Sequence, residues 1–214
     1  MEEKNKKNDK LLKEQQRIEA MKVYEKEYQD YTYICGIDEA GRGPLAGPVV
    51  AGAVILPKDC KLLYINDSKK VSEKKREELY EQIMEVALGA SVGIVNSNTI
   101  DEINILQSTY EAMRLALIKL PILPDILLND AVTIPKVKIK QVPIVKGDAK
   151  SISIAAASII AKVTRDRMMR VYDELYPEYG FAKNKGYGTA FHIEAIGKVG
   201  ISPIHRHSFV KNFV

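Results

Sequence analysis

The chain has 214 residues, 46% hydrophobic and 28% charged, which is enough for one domain with a sizeable core. Its net charge of +4 permits a polyanionic partner without demanding one, and the basic excess is local: residues 146–214 carry eleven Lys and Arg against six Asp and Glu, with all three histidines. The longest apolar run, 45–57, is broken by Gly and Pro and is too short for a membrane span, and the charged N-terminus shows no signal-peptide core.

Residues 1–30 contain no Gly or Pro and are rich in Lys, Glu and Gln. The first ten read as unstructured. Beyond them Leu11, Ile18, Met21, Tyr24 and Tyr28 fall near helical spacing, which predicts a charged, partly helical arm ahead of a single domain over 31–214. Tyr31 to Asp38 reads as a first strand and Pro48 to Leu56 as a second, joined by a tight Gly- and Pro-rich loop. Asn66 to Lys70 is a polar loop. Ser72 is placed to cap a helix reaching about Leu88, with Leu79, Ile83 and Val86 inward and Gly89 ending it. Ser91 to Val95 is a third strand. Thr99-Ile-Asp-Glu102 has the form of a capping box, and Ile103, Leu106, Tyr110, Met113, Leu117 and Leu120 behind it form a core-facing stripe closed by Pro121 and Pro124. Asp125 to Asn129 is a short buried strand running into Asp130. Val137 to Val145 is another, ending at Lys146-Gly147-Asp148. Ser151 to Arg170 is a long helix whose Ala155-Ala156-Ala157 and Ala161 would let it lie close on a sheet. Tyr187 to Lys198 is a further helix before a Pro-containing tail. The pattern predicts an α/β fold with a mixed sheet flanked by helices and a helical C-terminal region.

The chemistry gathers around Tyr33 to Pro48. An apolar run ends in two adjacent carboxylates, Asp38 and Glu39, and Gly41-Arg42-Gly43 follows at once. Two glycines around an arginine leave backbone N–H groups open to anions and polar oxygens. Carboxylates beside such a cradle suit a metal-dependent enzyme acting on a phosphate-bearing substrate. Asp130 and Asp148 also follow apolar, strand-like runs, where an unpaired carboxylate is costly. Asp125 precedes its run and so sits at the other end, and Asp148 could at the same time cap the helix starting near Ser151. Cys35 and Cys60 have no metal-type spacing and read as reduced thiols, as in a cytoplasmic protein. His192, His205 and His207 are taken as structural or close to phosphate, since no zinc-type spacing supports them.

The run Ile37-Asp-Glu-Ala-Gly-Arg-Gly-Pro-Leu-Ala-Gly-Pro48 resembles the signature of the bacterial type 2 ribonuclease H family, the ribonucleases HII. The similarity extends over roughly residues 17 to 209, through Leu127 to Pro135, Lys146 to Asp166, Lys185-Gly-Tyr-Gly-Thr189 and His205-Arg-His-Ser-Phe209. The resemblance implies a ribonuclease H-like fold. It implies that Asp38, Glu39, Asp130 and Asp148 form a catalytic quartet holding Mg²⁺ or Mn²⁺, two ions per site. It implies that Gly41, Arg42 and Gly43 read the ribose 2′-OH and adjacent phosphate through main-chain atoms, and that Tyr187 packs on the sugar of the following deoxynucleotide. Lys69, Lys70, Lys146 and Lys185 are candidate phosphate contacts. The implied activity is cleavage of RNA in RNA–DNA hybrids and 5′ of single ribonucleotides in duplex DNA. The sequence itself carries no oligomerisation signal and no membrane-spanning run, so a monomer without a membrane partner is expected. A non-catalytic hybrid-binding protein, or another two-metal nuclease on a related fold, is the alternative.

Overall fold

Five strands form one mixed sheet in the order β3-β2-β1-β4-β5. They are β1 (Ile34–Ala40), β2 (Val49–Ile55), β3 (Gly89–Val95), β4 (Ile126–Asp130) and β5 (Lys140–Ile144). In this computed structural model the backbone is described for residues 2–213 and the side chains for residues 8–213. β2 runs antiparallel to β1 and β3, whereas β1, β4 and β5 are mutually parallel. The expected α/β architecture with a central mixed sheet is therefore present. β2 is buried along its whole length because both faces of the sheet are covered, which is why its sequence is apolar throughout rather than alternating.

Two long helices cover those faces: α4 (Ser97–Lys119) on one and α5 (Ile152–Leu175) on the other. Both approach to backbone contact at glycines. A Cβ added to Gly36 would lie 2.0 Å from the Ser153 carbonyl carbon, and one on Gly52 would lie 2.4 Å from the Ala157 oxygen. On the α4 side, a Cβ on Gly93 would lie 1.9 Å from the Ala112 oxygen. The alanines of α5 complete this fit, as their spacing predicts. Ser151 caps α5, its hydroxyl accepting from the Ile154 N–H at 3.2 Å.

α3 (Glu73–Val86) starts at its expected cap, Ser72, and buries Leu79 and Ile83, but Val86 is exposed. Gly89 opens β3 rather than ending α3, because the chain has already turned at Ala87. α4 departs further from expectation. Its cap is Asn96, which accepts from the Thr99 N–H at 3.0 Å, so there is no capping box at Thr99. Asp101 instead accepts from the His207 and Ser208 N–H groups, tying down the C-terminal tail. A break at Asn104 (φ 65°) splits the stripe, leaving Ile103 and Leu106 exposed while Met113 is buried. Asn tolerates positive φ, and its side chain recaps the second half through the Leu106 and Gln107 N–H groups.

β5 is shorter than expected because Lys136 turns the chain at φ 64° ahead of it. It is an edge strand, and Pro143 sits there where no ladder N–H is required. The C-terminal region holds α6 (Phe181–Asn184), α7 (Ala190–Val199) and α8 (His207–Val210), gathered on Met169, Tyr179, Phe181 and Ile196. Tyr187 lies in the loop before α7, whose cap is Thr189, and not within the helix.

The N-terminal arm is helical from its second residue: α1 (Glu2–Ala20) and α2 (Val23–Glu27). The backbone of residues 2–10 is thus helix rather than unstructured, in keeping with the helix propensity of Lys, Glu and Leu; Met1 lies outside the described residues. Of the predicted stripe, Ile18 and Met21 are buried against Val54, Leu79 and Ile159, worth about 2 kcal/mol each, whereas Leu11 is exposed. Among the described residues no helix is long and apolar enough to cross a membrane.

Candidate active site

β1 and β4 run in parallel, and their last paired residues are Ile37 and Asn129, so Asp38 and Asp130 follow side by side at the same sheet end. Strand alternation sends both toward α5. Asn129 points the other way and is buried, its amide donating to Val132 and Gln141. Asp125 sits at the opposite end of β4, accepting from the Thr32 and Tyr33 N–H groups.

Asp38 is only 6% exposed, and burial pushes its pKa well above the usual carboxylate range. The charges of Glu39 and Asp130 push in the same direction, and hydrogen bonds from the Ser158 hydroxyl and the Glu39 N–H offset part of this. Glu39 is also raised by burial, against the pull of the Arg42 guanidinium at 3.2 Å. Asp130 accepts from the Gly147 N–H at 2.7 Å. Gly147 opens a single 3-10 turn, Gly147–Ala149, that carries Asp148. Burial, then the neighbouring charges of Asp67 and Asp130, raise the Asp148 pKa. Four carboxylates from three separate segments therefore share one electrostatic neighbourhood. Asp148 does not cap α5, since Ser151 does.

The two glycine-flanked motifs meet beside the acids. A Cβ on Gly43 would lie 3.8 Å from the Tyr187 ring, and the Leu45 N–H donates to the Gly186 carbonyl at 2.8 Å. Tyr187 is 44% exposed, its ring open to the cleft. Two buried arginines fasten this junction. Arg165 donates to the carbonyls of Ala46, Pro48 and Lys185 at 2.8–3.0 Å. Arg206 donates to those of Gly41, Arg42 and Gly47. Burial lowers their pKa values to about 10 and about 9, so both stay charged at neutral pH. A histidine pair adds a third tie. The Ser202 N–H donates to His205 Nδ1, so the neutral His205 ring donates through Nε2 to His192 Nε2, at 2.9 Å. The remaining His192 Nδ1–H then donates to the Tyr187 carbonyl at 2.9 Å. Burial lowers both imidazoles, His205 to about 4, which keeps them neutral. The histidines are thus structural.

The ribonuclease HII family model matches residues 35–212. The chain belongs to the ribonuclease HII family. It is similar to ribonuclease HII of Lachnoclostridium phytofermentans, at 66% identity over 95% of this chain and 80% of that one. It is likewise similar to ribonuclease HII of Clostridioides difficile, at 60% identity over 98% of this chain and 83% of that one. The crystal structure of ribonuclease H2 from Pyrococcus horikoshii OT3 matches with a TM-score of 0.69 and 29% identity, over 85% of this chain and 96% of that one. As a member of this family, the chain is an enzyme, a hydrolase of the ribonuclease H kind.

The candidate lysines divide. Lys69 is exposed, and its charge acts on both Glu39 and Asp148. Lys146 is exposed in left-handed backbone (φ 58°) at the entry to the Asp148 turn. Lys185 departs from expectation: it is 9% exposed, and its ammonium is engaged by the Ala182 carbonyl and by Glu73 at 3.4 Å. Its main-chain oxygen, not its charge, faces the junction, as the partner of Arg165.

A cleft of about 520 Å³ runs from Glu39 past Gly41-Arg42-Gly43 to Tyr187. Its floor adds residues that sequence reasoning missed: Ser68, Arg76, Ser158 and Lys162. Lys162 is paired with the buried Asp166 at 2.6 Å. Ser158, Lys162 and Asp166 recur every four residues, and that polar stripe through an alanine-rich helix was the available signal. Asp67 was missed as well, although it lies in the polar loop already noted.

The donor set fits a hard divalent cation. It is all carboxylate, without thiolate or imidazole; burial raises Asp38, Glu39 and Asp148, and the smaller part that comes from neighbouring acids is what a cation would relieve. Among the described residues no three His, Cys, Asp or Glu side chains stand close enough together to hold a metal ion as they are placed.

Gly43 offers a clean probe, because an added methyl group meets only the Tyr187 ring, at an ordinary distance. Gly41 does not, with φ +94° and a Cβ position 2.1 Å from Arg165 Nε. Gly43→Ala is expected to melt at the wild-type temperature yet lose activity roughly tenfold, from crowding of the ligand alone. Full activity in steady-state assays would remove the Gly43 backbone from substrate contact.

Proposed function

We propose that this enzyme hydrolyses the RNA strand of RNA–DNA hybrids and nicks duplex DNA on the 5′ side of a single embedded ribonucleotide. Water attacks phosphorus, the bond to the 3′ oxygen breaks and that oxygen leaves with a proton, so the products carry 3′-hydroxyl and 5′-phosphate ends. Asp38, Glu39, Asp130 and Asp148 hold Mg²⁺ or Mn²⁺, two ions per site. Bound there, the ions would lower the pKa of the attacking water and neutralise the leaving oxygen. The chain's own residues supply orientation. The Gly41-Arg42-Gly43 main chain reads the 2′-OH, the group that separates RNA from DNA. Tyr187 stacks on the neighbouring deoxyribose, and Lys69 and Lys146 meet the phosphate backbone.

The observation that carries this reading is the meeting of the two glycine-flanked motifs in one cleft with Glu39, whose carboxylate shares its electrostatic neighbourhood with Asp38, Asp130 and Asp148. A non-catalytic hybrid binder would gain nothing from acids that repel phosphates. The test uses a labelled DNA duplex holding one ribonucleotide, with Mg²⁺ and with EDTA, beside an all-DNA duplex. A metal-dependent nick 5′ of the ribonucleotide alone is the expected result. Cutting of the all-DNA duplex would replace this reading by that of a general nuclease.

Tyr187→Ala should impair cleavage at a single ribonucleotide about tenfold more than cleavage of continuous hybrid, the size of one lost aromatic packing contact of about 1.4 kcal/mol. Equal losses on the two substrates, compared by kcat/KM, would remove the junction role of Tyr187.

A further inference from the structure

The N-terminal arm lies before the residues matched to the family, yet it makes the contacts that start α5. The first N–H groups of a helix have no partner within it. In α5 the Ile152 N–H donates to the Met21 carbonyl at 3.1 Å, and the Ser153 N–H to Glu25 Oε1 at 3.0 Å. The Ile154 N–H donates to the Ser151 hydroxyl, which itself donates to Glu25 Oε1 at 2.6 Å. All three donors thus end on the arm, two directly and one through a hydroxyl. A carboxylate there also meets the positive end of a 24-residue helix dipole.

The start of α5 is also the end of the Asp148 turn. The Gly147 carbonyl accepts from the Lys150 and Ser151 N–H groups at 2.9 and 2.8 Å, and the Gly147 N–H holds Asp130. Asp148 therefore sits between Gly147, fixed to Asp130, and Ser151, fixed to Glu25. The arm is itself anchored: Ile18 and Met21 are buried, Arg17 donates to the Ile65 carbonyl and Lys22 to that of Cys60.

We propose that Met21 and Glu25 are positioning residues for Asp148, so that the arm and the nuclease sheet act as one catalytic unit. This rests on the reading of Asp148 as a metal-holding carboxylate.

Amide hydrogen exchange over residues 147–153 tests it, on wild type, Glu25→Ala, Glu25→Gln and the control Glu19→Ala, together with calorimetric titration by Mn²⁺ alone. Glu25→Ala should speed exchange about tenfold at Ile152, Ser153 and also Gly147 to Ala149, the effect of one lost cap. It should weaken Mn²⁺ binding several-fold, and raise the metal concentration for half-maximal cleavage by the same factor with little change in kcat at saturating metal. Glu25→Gln, which keeps an accepting oxygen, should recover most of both. Glu19→Ala should match wild type. Faster exchange at 152–153 with 147–149 unchanged, or Mn²⁺ binding unchanged, would reduce Glu25 to a structural cap and overturn the proposal. Should Glu25→Ala not fold, Ser151→Ala replaces it under the same criteria. A wild type that cuts no substrate in any metal would overturn the nuclease reading, while the exchange pattern still decides whether the arm positions Asp148.

Discussion

Asp38→Asn is expected to lower turnover by about a thousandfold or more while making the metal-free protein more stable at neutral pH. The proposed function makes Asp38 a metal ligand, and the loss follows from removing that charge, since metal-borne charge stabilisation is worth several kcal/mol and each tenfold in rate is about 1.4 kcal/mol. The gain follows from the burial and like charges that raise Asp38 above its ordinary value of 3.8. A carboxyl with a raised folded pKa binds its proton more readily in the folded chain. Its contribution to stability is therefore present below the unfolded value and lost as pH rises through the raised one. The wild type in EDTA should melt higher as the pH is lowered from neutral, and the Asn variant should show less of this rise. Thermal melts across pH, with and without metal, measure both effects. Retained cleavage would remove Asp38 from the metal site, and a lower melting temperature for Asn in EDTA would refute the electrostatic account.

Arg165→Met should cost on the order of 3–5 kcal/mol, because three buried carbonyls lose their donor together. That corresponds to a fall in melting temperature of roughly 10 °C for a chain of this size. Arg165→Lys should recover little, since one ammonium cannot span the carbonyls of Ala46, Pro48 and Lys185 as a planar fork does. In whatever fraction folds, the loops bearing Gly43 and Tyr187 lose one of the ties between them, so preference for a ribonucleotide junction should fall more than cleavage of continuous hybrid. A variant melting within about 2 °C of wild type would contradict this role.

Asp38 and Glu39 were legible because an apolar run ending in two acids before a glycine pair has few purely structural uses. Asp130 was legible over Asp125 because strand direction separates them: one ends on the acidic edge and the other on the edge beside Thr32 and Tyr33. The strands and the long α5 came from apolar runs and spaced alanines, both local signals. The break at Asn104 was not legible, since a single asparagine in left-handed backbone leaves the apolar period on either side intact. Arg165 and Arg206 escaped notice for a different reason. All their partners are main-chain oxygens far away in sequence, and a buried arginine with carbonyl partners leaves no complementary acid to find. Lys185 misled in the opposite sense, as a loop lysine whose ammonium is used inside the protein. The same blindness to main-chain partners hid the link between the arm and α5.

The glycines beneath the two covering helices bear on how a mutational scan of this enzyme would read. Scored by activity alone, Gly36, Gly52 and Gly93 would tolerate no substitution, because even one methyl group would overlap the backbone of α5 or α4. They would fall among the null positions alongside Asp38, although none of them touches substrate. Cellular abundance would separate the two groups: chains altered at these glycines would be degraded, whereas inactive Asp38 variants would accumulate.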